Sequence, residues 1–306
     1  MTARDITKAQ GGDWHGYYGL VPGPGHSRKD RSVKVMDGPD GEIIIHSFAG
    51  DDWKDIKVAW RAQGLLPDRQ GTEQRDPREN EQRRRQARDR QRQRDAEERR
   101  KLATNTKEAR ATFKKGIPLA DTIGENFMCH RGLEGPYPAS LRCVPSLIHP
   151  FENLPFSAIV AAVQAADRSI QAIQCTYLLP DGSGKARLSR PRLNKGPIKG
   201  GTVRLAAAGE VLGLAEGVET GLSAMRMFNV PVWSCLGGFN IKNAPLPDIV
   251  RQVVIFGDAG DTGRRFAEQA AEVFVRQGRK VKLAFPVEPY GDFNDVAQAQ
   301  QPEQAK

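Results

Sequence analysis

Val211-Leu212-Gly213-Leu214-Ala215-Glu216-Gly217-Val218-Glu219 decides how the second half of this chain is read. Five apolar or glycine residues run into an acid and a glycine, the way a fully buried strand ends before a helix. The pattern then repeats. Val218 to Phe228 reads as a helix, Pro231 to Leu236 as a strand, and Val253 to Phe256 as another strand. Gly263 to Gln277 reads as a helix with Phe266, Ala270, Val273 and Phe274 along one side, followed by a strand from Val281 to Phe285. Strands alternating with helices predict α/β structure, with a parallel sheet of about four strands and right-handed crossovers.

Acids sit where those strands end. Glu216 and Glu219 follow the first, Asp258 and Asp261 follow the third, and Asp292 and Asp295 follow the fourth. An open parallel sheet forms its ligand crevice beyond its carboxyl ends. Acids gathered there make an oxygen-rich site that suits Mg²⁺ or Mn²⁺, and a divalent cation relieves their repulsion. Any one of them also serves as an ordinary helix cap. Neither a Walker A motif nor a GxGxxG is present.

Upstream, Ala158 to Ala166 reads as an apolar helix or strand, and Ile170 to Tyr177 alternates like a strand. After the turn Pro180 to Gly184 comes a basic, acid-free segment, Lys185 to Gly201, holding Arg190, Arg192, Lys195 and Lys199. These four are candidates for binding phosphates of nucleotide or template; a solvated hairpin is the plainer alternative. From Asp68 to Lys101 only Ala87 and Ala96 are apolar, which leaves no stripe to pack. That stretch reads as a charged helical or disordered linker, or as a phosphate-binding arm.

Near the start, Ser32 to Val35 and Glu42 to His46 read as strands around the turn Asp37 to Gly41. Asp51 or Asp52 caps a helix, Trp53 to Gln63, with Trp53, Ile56 and Trp60 at helical spacing. The expected division is 1–66, the linker 67–115, a mixed α+β part 116–210, the parallel sheet 211–298 and a tail 299–306. The chain has 306 residues, 39% of them apolar, and a net charge of +9. The positive balance favours an anionic partner. No apolar run is long enough for a membrane helix, and no secretory h-region is visible. Four scattered Cys, at 129, 143, 175 and 235, suit a reducing cytoplasmic setting.

Glu216-Gly217 followed by Asp258-x-x-Asp261-x-Gly263 on this alternating framework resembles the toprim domain of topoisomerases and primases. Leu214 to Thr220 and Asp292-Phe293-Asn294-Asp295 look most like phage- and plasmid-type DNA primases. The resemblance implies a Rossmann-like toprim sheet preceded by a primase-like subdomain and a small β-rich N-terminal domain. It implies primer synthesis on single-stranded DNA from nucleoside triphosphates, with a divalent metal and a separate replicative helicase. Glu216, Asp258 and Asp261 are the catalytic and metal candidates it supplies, with Asp292 and Asp295 as further metal ligands. The second acid of the family's pair falls at Gly260, and Asp261 is its neighbour. That departure keeps open a catalytically weak single-strand-binding module of a replisome, and a metal-dependent nuclease is a further chemistry that the toprim resemblance allows.

Gly23, His26, Ser47 and Asp51 also fall where such primases carry an N-terminal zinc site, yet no Cys precedes residue 129. Structural zinc needs four soft ligands, so no zinc is expected. Trp14, Tyr17, Tyr18, Arg28, Lys29 and Arg31 are read either as a contact for single-stranded template or as the core of a small domain.

Overall fold

The computed structural model describes residues 1–38, 41–67 and 77–300; Pro39 and Asp40 of the expected turn, 68–76 of the linker and 301–306 of the tail lie outside the described residues. Two compact units are present, Met1–Glu98 and Arg99–Lys306.

The first unit begins with α1 (Ala3–Ala9), closed by a reciprocal capping box between Thr2 and Asp5. Strands β1 (Asp13–Trp14), β2 (Gly19–Val21), β3 (Val33–Asp37) and β4 (Ile43–Ser47) form an antiparallel sheet in that order. Helix α2 (Trp53–Ala62) is capped by Asp52. Ile6, Val21, Val33, Val35, Ile56 and Trp60 meet in one core. Trp53 has the spacing of that face but is 49% exposed, with the Lys57 ammonium 5.0 Å from its ring. At the first helical position it lies before the turn that meets the sheet.

Helix α3 (Pro77–Lys115) contains the boundary between the units. Its charged middle is solvent-exposed. Near its end Ala109 and Phe113 are buried, and Thr106 and Arg110 donate to the carbonyls of Gln171 and Ile170. Helicity along the polar stretch therefore rests on propensity, and packing begins only where apolar residues return.

In the second unit, α4 (Ile123–His130) precedes an antiparallel sheet of β5 (Leu141–Ile148), β6 (Pro155–Gln164), β7 (Ile170–Tyr177) and β8 (Arg192–Lys195). Every residue of β6 from Ala158 to Val163 is buried, because α3 covers one face and α4 the other. This two-sided cover explains a run too uniformly apolar to show strand alternation. Then come β9 (Val203–Arg204), β10 (Val211–Ala215), α5 (Val218–Phe228), β11 (Val232–Ser234), α6 (Gly238–Ile241), β12 (Gln252–Phe256), α7 (Gly260–Arg276), β13 (Lys280–Ala284) and α8 (Phe293–Ala299).

These build a five-stranded sheet ordered β13-β12-β10-β11-β9. The first four strands are parallel, as the alternation requires, and β9 adds an antiparallel edge. Two residues are too few for β9 to announce itself by periodicity. Among the described residues, no helix is long and apolar enough to cross a membrane.

Candidate active site

Register places the acids. Ala215 pairs with Phe256 across β10 and β12, and Phe256 with Ala284 across β12 and β13. The residues that follow therefore leave the sheet at one carboxyl edge. Beyond it, the Ala259 amide donates to the Gly291 carbonyl at 2.8 Å, which draws the loop carrying Asp258 to the loop carrying Asp292.

Glu216 is partly buried, and its Oε2 accepts from the Gly238 amide at 2.9 Å. A Cβ on Gly238 would stand 2.8 Å from Glu216 Oε1, so only glycine lets that backbone approach. Burial pushes the Glu216 carboxyl above the usual range, against the pull of its backbone hydrogen bonds. Asp258 is shifted further, to about 7. Burial is the main cause, followed by the charges of Glu216, Asp292 and Asp295; Arg192 opposes them. Four of the five candidate acids thus share one electrostatic neighbourhood. Asp261 lies exposed in the first turn of α7, where a helix N-terminus favours an acid. Gly260 beside it has φ +86°, a conformation that disfavours any side chain.

A divalent cation fits this donor set by one observation. Asp258 Oδ1 is buried with no hydrogen-bond partner, an uncompensated hard oxygen among other carboxylates. Among the described residues, no group of three or more His, Cys, Asp or Glu side chains is placed to hold a metal ion. The neighbours spend oxygens on backbone amides instead. Asp292 Oδ1 caps α8 through Asn294 and Asp295, and Asp295 Oδ2 accepts from Gly291.

Four residues outside the candidate set, Asn294, Glu219, Arg131 and Lys185, build the surroundings. Asn294 is fully buried and donates to the Arg131 carbonyl at 2.9 Å and to Ser223 Oγ at 3.1 Å, pinning α8 against α5 and the end of α4. Glu219 accepts from Arg131 Nε at 3.0 Å and pairs with Lys185 Nζ at 3.2 Å. Glu219 is therefore the counter-ion of two cations. Burial lowers the Lys185 pKa, and Glu219 partly restores it. The basic segment that contains Lys185 was a signal for that residue; nothing local marks Arg131.

The basic candidates separate. On β8 side chains alternate faces. Arg192 shares its face with Gln174 and Thr176 and is near enough to act on Asp258. Lys195 points to the α3 side, where Nζ meets Glu108 at 2.5 Å. Arg190 stacks over Phe151, and Lys199 is exposed.

In the first unit, Gly23, His26, Ser47 and Asp51 do converge. His26 Nδ1 stands 2.9 Å from Asp30 and Nε2 3.6 Å from Asp51, while Ser47 Oγ donates to Asp51 at 2.8 Å. A Cβ at Gly23 would lie 2.9 Å from His26 Nδ1. Zinc does not fit this set: it has no thiolate, and its carboxylates are engaged with His26 and hydroxyls. Of the aromatic and basic candidates nearby, Trp14 packs on the core, Arg31 is tied to Asp13 at 2.7 Å, and Tyr17 is exposed.

Residues 211–303 match the model of the Toprim domain, and residues 103–205 match a domain of unknown function, DUF7146. No curated protein sequence matches the chain. Similar solved structures include the primase fragment of the bacteriophage T7 primase-helicase protein, at 19% identity over 47% of this chain and 59% of that one, with TM-score 0.36. The zinc-binding and RNA polymerase domains of the Aquifex aeolicus primase align at 12% identity over 98% of this chain and 80% of that one, with TM-score 0.40. A DNA primase domain from Pseudomonas aeruginosa aligns at 15% identity over 59% and 56%, with TM-score 0.35. The chain thus spans less than two thirds of the T7 fragment it matches. The parallel sheet and the acids at its edge thus lie in the segment, residues 211–303, that matches the Toprim domain model.

Proposed function

We propose that the chain is a primase-type nucleotidyltransferase that makes short RNA primers on single-stranded DNA with Mg²⁺ or Mn²⁺, in the replication of a mobile element. The observation that carries this reading is the unpartnered Asp258 Oδ1, buried among Glu216, Asp292 and Asp295 at the carboxyl edge of a toprim sheet. Glu216, Asp258, Asp292 and Asp295 would hold the cation, which supplies charge neutralisation for a triphosphate and its pyrophosphate leaving group. Asp261, three residues beyond Asp258 in the first turn of α7, is retained as a catalytic and metal candidate. Glu216, with its raised pKa, is suited to hold or release a proton at its carboxylate. Arg192 brings positive charge to the same edge for phosphate. Arg190 and Lys199 flank β8 as further phosphate candidates, Lys195 on the opposite face is the fourth although it pairs with Glu108, and strand opening falls to a separate helicase.

The test is incubation of the full chain with single-stranded DNA and labelled ribonucleotides in Mg²⁺ or Mn²⁺. Short RNA products are expected, and they disappear in Asp258→Asn and Glu216→Gln. Folded protein that yields no product in either metal, with an unwinding partner present, refutes the reading; cleaved template would point to a nuclease. Gly260 at the second acid position favours one further reading, a single-strand-binding module without catalysis. That module's binding would be unchanged by Glu216→Gln.

A further inference from the structure

The loop between β5 and β6 exposes an apolar group that the toprim site does not use. Ile148 is 54% exposed, Phe151 63% and Leu154 58%. The loop is built to hold them there. His149 between them is fully buried, with its ring edge-to-face on Tyr177 at 4.7 Å. Its Nδ1 accepts from the Glu152 amide at 3.2 Å, so Nε2 carries the proton and donates to the Arg190 carbonyl at 3.1 Å. One imidazole therefore fixes both the loop that carries Phe151 and the segment, just before β8, that carries Arg190. The Arg190 guanidinium lies 5.2 Å from the centre of the Phe151 ring.

Leaving Phe151 in water forgoes burial that an aromatic side chain normally gains. A ring held rigid beside a guanidinium offers a sequence-tolerant stacking surface with a phosphate contact at its edge. Charge selects the occupant. Arg187, Arg190 and Arg192 are all exposed along the adjoining segment, against the single acid Glu152 in the loop. Arg192, two residues beyond Arg190, opens β8 and lines the same hollow as Val218 and Glu219, which follow Glu216 at the acidic edge.

We infer that Phe151 and Arg190, positioned by His149, form a base-stacking platform for single-stranded nucleic acid on its way to the acidic edge. This deepens the proposed function and rests on it for the identity of the strand.

The experiment measures anisotropy of a fluorescein-labelled oligothymidylate with the full chain across a salt series. Phe151→Ala is expected to weaken binding about tenfold, within the range for one stacked base. Arg190→Ala is expected to lower the salt slope by about 0.7, the loss of one single-strand phosphate contact. Phe151→Trp keeps the affinity, and its added emission is quenched by the oligonucleotide. Wild-type affinity in Phe151→Ala, or emission in Phe151→Trp that ignores the oligonucleotide, overturns the platform. So does a Phe151→Ala change in oligomeric state at unchanged affinity, which assigns the patch to a protein contact. Oligothymidylate binding and primer synthesis are read on the same wild-type chain to separate the two readings. Phe151-dependent binding in a chain that makes no primer defeats the catalytic proposal alone.

Discussion

Glu216 and Asp258 leave neighbouring parallel strands at the same edge because Ala215 pairs with Phe256. The Glu216 charge is the largest carboxylate contribution to the raised Asp258 pKa. Two acids more than forty residues apart thus become one titrating neighbourhood through sheet register.

The first prediction concerns pH and metal. The folded Asp258 pKa is about 7 against an ordinary 3.8. Between those values the native state holds a proton that the unfolded chain releases, so stability falls as pH rises through that window. Above it the full cost remains. Asp258→Asn should stabilise the metal-free protein by about 1–3 kcal/mol at pH above ~8, and by much less below pH ~3, where both states are protonated. Thermal melts should show Mg²⁺ raising the Tm of the wild type more than that of the variant. Equal shifts in both proteins would argue against Asp258 as a ligand.

Asn294 is a positioning residue for the late acids. Asn294→Ala leaves the Arg131 carbonyl and Ser223 hydroxyl short of a donor in a buried place. Urea titration should register a loss of about 2–4 kcal/mol, with Asn294→Asp no better, since a carboxylate cannot donate to that carbonyl.

Gly260 should resist repair. Its φ of +86° means that Gly260→Ala costs about 1–2 kcal/mol although nothing would touch the added Cβ. Gly260→Asp carries the same strain, so restoring an acid there lowers the urea midpoint. A midpoint at or above the wild-type value would show that the loop relaxes freely.

The His26 cluster makes a metal-free prediction. The Asp30 hydrogen bond, then the Asp51 charge, raises the His26 pKa above 6.5. Its contribution to stability is therefore complete below pH ~6.5 and lost as pH rises through the folded value. In NMR, the His26 ring should titrate above its ordinary value, and lower in Asp30→Asn. A chelator should leave melting of the N-terminal unit unchanged; a large drop in Tm on chelation would reveal a metal holding that unit.

Much of the architecture is local and was legible residue by residue. Buried runs such as Val211–Ala215 and the helical spacing of Phe266, Ala270, Val273 and Phe274 encode their elements through burial period alone. Glycine and acid at the strand ends marked the edge where Glu216 and Asp258 meet. The two-residue β9 is too short to carry a period, and β6, covered on both faces, carries none that separates strand from helix.

Residue order alone therefore sets the alternating α/β arrangement and which acids follow which strands. The partners of those acids come from the folded packing. Strand alternation on β8 puts Arg192 on the face of Gln174 and Thr176, near Glu219, and sends Lys195 to Glu108, although both belong to one basic run. Glu219 meets Arg131 across 88 residues, and His149 meets Arg190 across 41. The physical reason is that period and propensity act over a few residues, whereas a side chain's charge environment is set by register and by whatever packs against its face.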